Sequence, residues 1–331
     1  MREPNRITLG RLPTPLKRLN RLSDELKKEV WVKRDDLTEH GCSGNKIRKL
    51  EYILAEAVAN GATHVITAGA VQSNHCRATA IAAASLGLDC ELILRGEEPS
   101  KLEGNLLLSK LAGAHCHYVN KETWVQLPDV FELIESMLEK RGGKPYSIPI
   151  GGSNPLGVWG YTKMIEELQS DMQSVPIYGA QIFTAVGSGG TYAGILAGLA
   201  VYLATTSHQA IGVLVSDDID YFREKIHADL SDWADKFGFR GSFQEPILDD
   251  RFIGTGYGKA GRPVYELIQK MAKQEGLFLD PVYSAKAFQG MLTRVKEGAV
   301  PEDHVIFVHT GGLFGMMAQA RELSGALGNQ F

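Results

Sequence analysis

The feature that most constrains the fold is a repeated alternation between short apolar runs and longer segments of helical periodicity. Seven apolar runs have the length of buried strands and occupy 65–67, 91–94, 117–119, 146–148, 181–186, 211–215 and 305–308. Around them, apolar side chains recur every three or four residues in segments predicted to be helical, namely 46–60, 77–85, 106–111, 129–140, 158–168 and 193–203. Such alternation predicts an α/β protein built of parallel βαβ units, in open twisted sheets flanked by helices.

The length of the chain predicts more than one domain, because 331 residues exceed the usual size of one compact core. Gly151-Gly152 interrupts the pattern and is a candidate crossing point between two lobes. The segment 231–251 has only a weak pattern, and we expect it to be irregular. In an open α/β sheet, ligands bind at the carboxyl ends of the strands, so a site is expected in the loops that follow strands.

Charge and composition exclude several classes of partner and site. The formal net charge of -4 gives no electrostatic basis for binding nucleic acid or an anionic membrane. No apolar run reaches the 18 residues of a transmembrane helix, and no apolar segment typical of a secretory signal follows the first residues. The four cysteines form no Cys-x-x-Cys pair and no His spacing suggests zinc, so no metal site is expected. Together these features predict a cytoplasmic protein with reduced thiols.

A glycine-rich loop follows the predicted strand 181–186. It consists of Gly187, Ser188, Gly189, Gly190 and Thr191. Glycines let main-chain N–H groups converge on an anion, and the N-terminus of the following helix adds partial positive charge. The spacing matches neither Gly-x-Gly-x-x-Gly nor a P-loop, so a single phosphate group fits better than a dinucleotide or a nucleoside triphosphate. A plain tight turn explains the loop equally well.

A second polar loop, Ser73, Asn74 and His75, lies between the predicted strand 65–67 and an alanine-rich helix. It offers polar side chains and free main-chain N–H groups to an anionic ligand. Simple capping of the helix by Ser73 or Asn74 is the alternative and, for this loop alone, the better explanation.

Lys46 opens the predicted helix 46–60, directly after Gly44 and Asn45. The helix dipole opposes a cation at this end, which lowers the pKa of the amine and favours the neutral nucleophile needed to form an imine. A solvated lysine is the alternative, and the basic neighbours Arg48 and Lys49 are compatible with it.

Taken together in chain order, these segments resemble the 1-aminocyclopropane-1-carboxylate (ACC) deaminase and D-cysteine desulfhydrase family. That family belongs to the pyridoxal phosphate enzymes of fold type II, which are similar to the β subunit of tryptophan synthase. The resemblance covers nearly the whole chain through an ordered set of motifs: VKRDDL at 32–37, SGNKIRKLE at 43–51, QSNH at 72–75, GGSN at 151–154, GSGGT at 187–191, GYG at 256–258, DPVY at 280–283 and HTGG at 309–312.

The resemblance implies that the cofactor is pyridoxal 5'-phosphate, held as a Schiff base by Lys46, which would also move the α-proton of the substrate. Asn74 would bind the ring hydroxyl of the cofactor, and the loop 187–191 would bind its phosphate. A cofactor of this kind acts as an electron sink, so an imine lysine and a phosphate anchor are what the protein must supply.

For the substrate, the resemblance implies a small amino acid whose carboxylate is received by Ser73, Asn74 and His75. Tyr257 and Tyr283 would border the reacting carbon and, with Lys46 and Ser73, would be the catalytic side chains. For either tyrosine alone, a core aromatic with a satisfied hydroxyl is the more ordinary explanation.

The resemblance also implies a two-domain protein with the cofactor and the active site between the domains. The larger, cofactor-binding domain would comprise 1–48 and 153–331, and the smaller α/β domain 49–152. A homodimer is implied as well.

Two positions predict the branch of the family. ACC deaminases resemble one another in having Glu after the tyrosine of Asp-Pro-Val-Tyr and Leu between the His and Gly-Gly of the last motif, where this chain has Ser284 and Thr310. Hydroxyls at the pyridine nitrogen of the cofactor would give a weaker electron sink, which suits a substrate with a good leaving group on Cβ. We therefore expect α,β-elimination, with D-cysteine giving pyruvate, ammonia and sulfide. ACC deamination to 2-oxobutanoate is the alternative, followed by L-cysteate sulfo-lyase activity.

Two other classes of protein are alternatives, a dehydrogenase and a non-catalytic binder of the cofactor. The absence of Gly-x-Gly-x-x-Gly argues against a Rossmann-type dehydrogenase. A non-catalytic binder of pyridoxal phosphate would keep Lys46 and the phosphate loop without needing Ser73, Tyr257 and Tyr283. The chain departs from the family at Ser43, where Gly is common, and this affects the expected shape of the pocket edge.

Overall fold

The computed structural model describes residues 1–328 and contains two sheets. The six-stranded sheet has the order β1-β2-β10-β7-β8-β9, and all neighbours are parallel except the antiparallel pair β1 and β2. Its strands are β1 (Leu16–Arg18), β2 (Glu29–Lys33), β7 (Ala180–Val186), β8 (Gln209–Leu214), β9 (Ile247–Asp249) and β10 (His304–Val308). Every residue of β7 is buried, as is usual for a central parallel strand covered on both faces.

The four-stranded sheet is parallel throughout and has the order β5-β4-β3-β6. Its strands are β3 (His64–Ala70), β4 (Asp89–Arg95), β5 (His115–Val119) and β6 (Pro145–Ser147). The α/β class and the parallel sheets flanked by helices that the alternation predicts are therefore confirmed.

Thirteen α-helices are found within residues 1–328. They are α1 (Asn20–Leu26), α2 (Lys46–Ala59), α3 (Asn74–Ser85), α4 (Gly104–Leu111), α5 (Lys121–Val125), α6 (Leu127–Glu139), α7 (Pro155–Ser174), α8 (Gly190–Tyr202), α9 (Ile219–Phe237), α10 (Arg262–Glu275), α11 (Ser284–Lys296), α12 (Leu313–Met317) and α13 (Ala320–Leu327). In the part of the chain covered by the structure, no helix is both long and apolar enough to cross a bilayer.

The expectation for 231–251 was wrong in part. Helix α9 continues to Phe237 because Phe222, Ile226, Leu230 and Trp233 bury one face of it. The helix ends at Gly238, which adopts a left-handed φ of 72°. Residues 239–246 lack regular structure, and the segment ends in the short strand β9.

Close helix packing joins α2, α7 and α8 and brings the start of α2 next to the start of α8. A Cβ atom at Gly160 of α7 would lie 2.5 Å from the main chain of Arg48 in α2. A Cβ atom at Gly194 of α8 would lie 2.5 Å from the Cβ of Tyr161 in α7. Only glycine allows helices to lie this close together. The two contacts therefore fix the position of α2 relative to α7 and α8.

Candidate active site

A cavity of about 610 Å³ lies at the carboxyl ends of β3, β7 and β10. It brings together most of the site residues predicted from the sequence. Those that line it are Lys46, Ser73, Asn74, His75, Gly187, Ser188, Gly189, Thr191, Tyr257, Tyr283 and Thr310. Gly190 and Ser284 do not line it, although each lies beside a residue that does. The position of the cavity agrees with the rule for ligands in open α/β sheets.

Lys46 is the first residue of α2 and is half-buried at the cavity wall. Burial, and then the positive charge of Arg77, lower the pKa of its amine to about 8, while Asp280 acts in the opposite direction. Its Nζ donates a hydrogen bond of 3.1 Å to Oδ1 of Asn45, whose Nδ2 donates to Oγ1 of Thr191 at 3.0 Å. Asn45 thus connects the lysine to the glycine-rich loop.

The loop 187–191 has the geometry of an anion cradle at the N-terminus of α8. The main-chain N–H groups of Ser188, Gly189 and Thr191 have no hydrogen-bond partner within residues 1–328. Gly189 has a left-handed φ of 83°, which orients these groups. The N–H of Gly190 donates to Oγ of Ser153 at 3.3 Å, and a Cβ atom there would lie 2.6 Å from that oxygen.

Lys49 lies directly beneath this loop and was not among the predicted site residues. It is fully buried, and its Nζ donates a 3.0 Å hydrogen bond to the carbonyl oxygen of Gly151. A Cβ atom at Gly190 would lie 2.9 Å from that Nζ. Burial, and then the charge of Lys46, hold the pKa of Lys49 well below its usual range. The one sequence signal for it is its spacing of three residues from Lys46, which puts both side chains on one helix face.

The start of α3 presents a second set of donors. Ser73 caps the helix, because its Oγ accepts the N–H of Cys76 at 3.2 Å. The N–H groups of Asn74 and His75 have no partner within the described part of the chain. Oδ1 of Asn74 accepts from Nδ2 of Asn105 at 3.0 Å, which leaves the amide nitrogen of Asn74 available as a donor.

His75 points its ring away from solvent. Its Nε2 lies 2.8 Å from Oγ1 of Thr67, and that hydroxyl donates to the carbonyl oxygen of Ile148 at 2.9 Å. The hydroxyl has one hydrogen, so His75 must donate from Nε2. Burial, and then the charges of Lys46 and Lys49, lower the pKa of His75 well below its usual range. The ring is therefore neutral, and His75 offers an anion its main-chain N–H rather than a cation.

Tyr257 and Tyr283 form one unit at the cavity wall. Their hydroxyl groups are hydrogen-bonded to each other, and their rings are 5.9 Å apart at 71°. Burial raises the pKa of both hydroxyls, and that of Tyr283 rises well above its usual range. Tyr283 also packs on Gly187, where a Cβ atom would lie 2.9 Å from its ring. Both tyrosines are neutral donors at physiological pH.

Ser284 is held by Asp280 rather than presented to the cavity. Its Oγ accepts the N–H of Asp280 at 2.7 Å and donates to Oδ1 of the same residue at 2.6 Å. The other carboxylate oxygen, Oδ2, accepts the N–H groups of Val282 and Tyr283. Thr310, in contrast, lines the cavity, and its side chain makes no hydrogen bond within residues 1–328. Of the two hydroxyls predicted to face a ring nitrogen, Thr310 is the one that is free.

The mouth of the cavity carries three exposed cationic side chains that no motif had indicated, Arg95, Lys121 and Lys259. The guanidinium of Arg95 lies 5.9 Å from the centre of the Trp124 ring. Exposed cations around an opening attract anions toward it, and amino-acid carboxylates are anionic at neutral pH.

The residues of the cavity fit pyridoxal phosphate. A phosphate needs converging donors, and the N–H groups of the loop 187–191 that lack a partner within residues 1–328 lie above the buried side chain of Lys49. An aldehyde needs an amine that is neutral near physiological pH, and the pKa of Lys46 of about 8 meets this need. Both requirements are met in one cavity, where Asn45 joins Lys46 to the loop.

Comparison with known proteins identifies the family. The family described as "Pyridoxal-phosphate dependent enzyme" matches residues 7–311. A putative ACC deaminase of Pyrococcus abyssi is 42% identical over 318 residues, covering 96% of this chain and 94% of the relative. A mitochondrial bifunctional D-cysteine desulfhydrase/ACC deaminase of Arabidopsis thaliana is 38% identical, with coverages of 98% and 82%. A D-cysteine desulfhydrase of Serratia proteamaculans is 37% identical, with coverages of 93% and 93%.

The fold comparison agrees. A crystal structure described as an ACC deaminase homologue superimposes with a TM-score of 0.90 at 36% identity, covering 98% of this chain and 96% of that chain. The resemblance inferred from the ordered motifs is thereby confirmed, as is the cofactor. The chain therefore belongs to the pyridoxal-phosphate-dependent enzymes, in the family that comprises ACC deaminases and D-cysteine desulfhydrases.

Proposed function

We propose that the protein catalyses α,β-elimination from a small amino acid that carries a leaving group on Cβ, with D-cysteine as the preferred substrate. The balanced reaction takes D-cysteine and water to pyruvate, ammonia and hydrogen sulfide. Two observations together carry the proposal. Thr310 has a free hydroxyl at the cavity wall, and both carboxylate oxygens of Asp280 already accept hydrogen bonds from residues 282–284.

These two observations bear on how strongly the cofactor would withdraw electrons from the substrate. When bound, pyridoxal phosphate supplies an electron sink for the carbanion at Cα, and the sink is weaker when its ring nitrogen stays unprotonated. Thr310 would offer that nitrogen a hydroxyl hydrogen, whereas Asp280 is engaged with the N–H groups of 282–284 and with Ser284. A substrate that expels its own Cβ substituent suits a site of this kind better than the cyclopropane ring of ACC.

Lys46 is proposed as the base that removes the proton from Cα. With a pKa of about 8, a useful fraction of the free amine is neutral at pH 7 to 8 and able to accept a proton. Nζ of Lys46 donates to Oδ1 of Asn45 at 3.1 Å, and this bond fixes the position of the amine in the cavity.

The carboxylate of the substrate would be received at the start of α3. The hydroxyl of Ser73 and the free N–H groups of Asn74 and His75 converge there, and the helix N-terminus favours a negative group. These donors fix the orientation of the Cα–H bond relative to Lys46.

The tyrosine pair is proposed to protonate the departing thiolate. One hydroxyl of Tyr257 and Tyr283 donates to the other, so the acceptor keeps its own hydrogen for the cavity. Because burial raises the pKa of both groups, the pair stays protonated over the neutral range and acts as a donor.

A substrate panel tests the proposal. Purified protein saturated with pyridoxal phosphate is assayed with D-cysteine, L-cysteine, D-serine, L-cysteate and ACC for keto acid, and for sulfide where sulfur is present. We expect D-cysteine to give equal amounts of pyruvate and sulfide, with little 2-oxobutanoate from ACC. Release of 2-oxobutanoate from ACC without turnover of D-cysteine would reverse the assignment, and keto acid from L-cysteate alone would indicate a sulfo-lyase.

Thr310→Val serves as the matched variant, because it removes the hydroxyl and keeps the shape. We expect it to lower kcat on D-cysteine about tenfold or more and to change the visible spectrum of the bound cofactor, since a donor to the ring would be lost. Thr206→Val, which removes a hydroxyl bonded to the carbonyl oxygen of Leu203 far from the cavity, should leave both unchanged. Equal behaviour of the two variants would remove Thr310 from the proposal.

A further inference from the structure

A second cluster of ligating side chains lies on the four-stranded sheet, at the end opposite to the cofactor cavity. Glu91 of β4 and His115 and His117 of β5 place one ligand atom each within 4.8 Å of one another. Glu91 pairs with His115 in the parallel register, and side chains two residues apart on a strand share a face, so all three point to the same side. The proposed function uses none of them.

The distances in the cluster match those between ligands of one tetrahedral ion. Oε2 of Glu91 lies 3.4 Å from Nδ1 of His115 and 2.6 Å from Nε2 of His117. Ligands at zinc distances of about 2.0–2.2 Å from a tetrahedral centre are about 3.3–3.5 Å apart. The first contact already has this spacing, and the second needs to widen by less than one ångström.

From this geometry we infer that Glu91, His115 and His117 form a zinc-binding site. Two imidazoles and one carboxylate are a donor set that suits Zn²⁺, with water as the fourth ligand. A cavity of about 490 Å³ beside the cluster, bounded by Ile134, Met137 and Leu138 of α6, leaves room for that water.

Zinc binding changes one hydrogen position. In the metal-free arrangement Nε2 of His117 is bonded to the carboxylate of Glu91, so it carries a hydrogen. A metal takes the lone pair of a deprotonated nitrogen, so that hydrogen moves to Nδ1 or leaves to solvent. The carboxylate of Glu91 exchanges its hydrogen bond for a bond to the ion.

The site is structural rather than catalytic, because of where it lies. His115 is the first residue of the edge strand β5, while Arg95, which lines the cofactor cavity, is the last residue of β4. Glu91 and Arg95 are four residues apart on one strand, which is about 13 Å. An ion held by Glu91 and both histidines cross-links β5 to β4 and ties the edge of the sheet.

Calorimetric titration of the holoenzyme with ZnCl₂ tests the site. The protein is untagged, treated with chelator and dialysed, saturated with pyridoxal phosphate, and free of thiol substrates. We expect one Zn²⁺ per chain and a melting temperature that rises with zinc concentration, because an ion that binds only the folded state stabilises it. Co²⁺ in place of Zn²⁺ should give the visible absorption of a tetrahedral centre. Absence of a one-to-one binding event overturns the inference.

Three variants and a control make the result specific. His115→Gln, His117→Gln and Glu91→Gln should each weaken zinc binding about tenfold or more, since even indirect disturbance of metal ligands costs this much. The His115 side chain is 77% exposed, so its loss does not disturb folding. His227→Gln, which removes a surface histidine paired with Glu245 at 3.5 Å, should keep full affinity. Unchanged affinity in His115→Gln and His117→Gln overturns the inference, whatever the outcome of the substrate panel.

Discussion

At the scale of single residues, the unusual feature of the site is the buried guanidinium of Arg77, whose charge acts on Lys46. Arg77 of α3 is bonded to the carbonyl oxygen of Ser43 and lies 5.0 Å from the centre of the Phe314 ring. Its Nε and Nη1 have no partner within residues 1–328. Burial lowers the pKa of Arg77 to about 10, so it keeps its positive charge at neutral pH. This poorly paired guanidinium lies where its positive charge lowers the pKa of the Lys46 amine.

We therefore predict that Arg77 helps to set the protonation of Lys46. The apoprotein should take up pyridoxal phosphate faster as pH rises through about 8, because only the neutral amine reacts. Arg77→Gln removes a positive charge that lowers the pKa of Lys46, so the midpoint should move to higher pH by about one unit. The measurement is the rate of appearance of the cofactor's visible band at a series of pH values.

Arg77→Lys is the control, because it keeps the charge and should keep the midpoint close to that of the unaltered protein. A midpoint in Arg77→Gln that equals the one in Arg77→Lys would show that burial alone lowers the pKa of Lys46.

Single residues also show where inference from the sequence stops. Lys46 was recognisable because it follows Gly44-Asn45 in an ordered set of motifs. Lys49 and Arg77 were not selected, because their roles depend on neighbours that are distant in the sequence. Lys49 is buried beneath the loop at Gly190, and Arg77 is buried against Ser43. The same reason explains Ser284, whose hydroxyl has a partner in Asp280 that a motif does not reveal.

At the scale of elements, the helices with apolar stripes were the most predictable. Helix α2 was expected over 46–60 and is found at Lys46–Ala59. Helix α3 begins at Asn74, three residues before the predicted start, because its polar first turn follows the cap residue Ser73 and adds nothing to the apolar periodicity. Strands β1 and β9, of three residues each, are too short to produce a pattern. The spacing of His115 and His117 in β5 shows only two of the three zinc ligands, because Glu91 lies on the separate strand β4.

The start of α3 is predicted to serve both stability and substrate binding. Ser73→Ala should cost about 1 kcal/mol of unfolding free energy, because it removes the cap to the N–H of Cys76. It should also lower kcat/KM for D-cysteine about tenfold or more, mainly through KM, since a donor to the carboxylate is lost. Urea unfolding and steady-state kinetics measure the two effects.

Asp218→Ala separates these effects, since Asp218 caps α9 through the N–H of Tyr221 at 2.8 Å and does not line the cavity. It should cost a similar free energy and leave kcat/KM unchanged. If Asp218→Ala lowers kcat/KM as much as Ser73→Ala does, the kinetic loss follows from stability alone.

At the scale of the whole molecule, the pairing of distant strands could not be derived from the sequence. Strand β10 lies between β2 and β7, so residues 275 positions apart in the chain, such as His304 and Glu29, are partners in neighbouring strands. The βαβ pattern predicts parallel strands and a site at their carboxyl ends, but not which strands are adjacent. All strands of the four-stranded sheet fall within 49–152, the range proposed for the smaller domain, and the domain boundaries and the homodimer stay predictions.

A buried ionic network joins the parts of the molecule that surround Lys46. Arg48 of α2 donates to both oxygens of Asp35, at 2.7 and 2.9 Å, and to both oxygens of Glu167 of α7. Tyr161 of α7 donates to Asp35 at 2.6 Å, and Thr14 donates to it at 2.7 Å. Asp35 is completely buried, so every one of its bonds replaces water. The network holds α2 against α7.

Removing Asp35 should therefore destabilise the whole protein. We expect Asp35→Ala to cost about 3–5 kcal/mol at pH 7, because it leaves the buried guanidinium of Arg48 with an incomplete set of partners. Burial by itself would raise the pKa of Asp35, but Arg48 and the hydrogen bonds outweigh it and lower the pKa. A carboxyl with a lowered folded-state pKa contributes stability above its unfolded pKa of about 3.9, and the contribution is lost as pH falls through the folded value. Urea unfolding should thus show a large difference between Asp35→Ala and the unaltered protein at pH 7 that shrinks below about pH 4.

Glu266→Ala is the control, because it breaks an exposed pair with Arg262 and should cost about 0.5 kcal/mol or less. An equally small effect of Asp35→Ala would contradict the role given to the network.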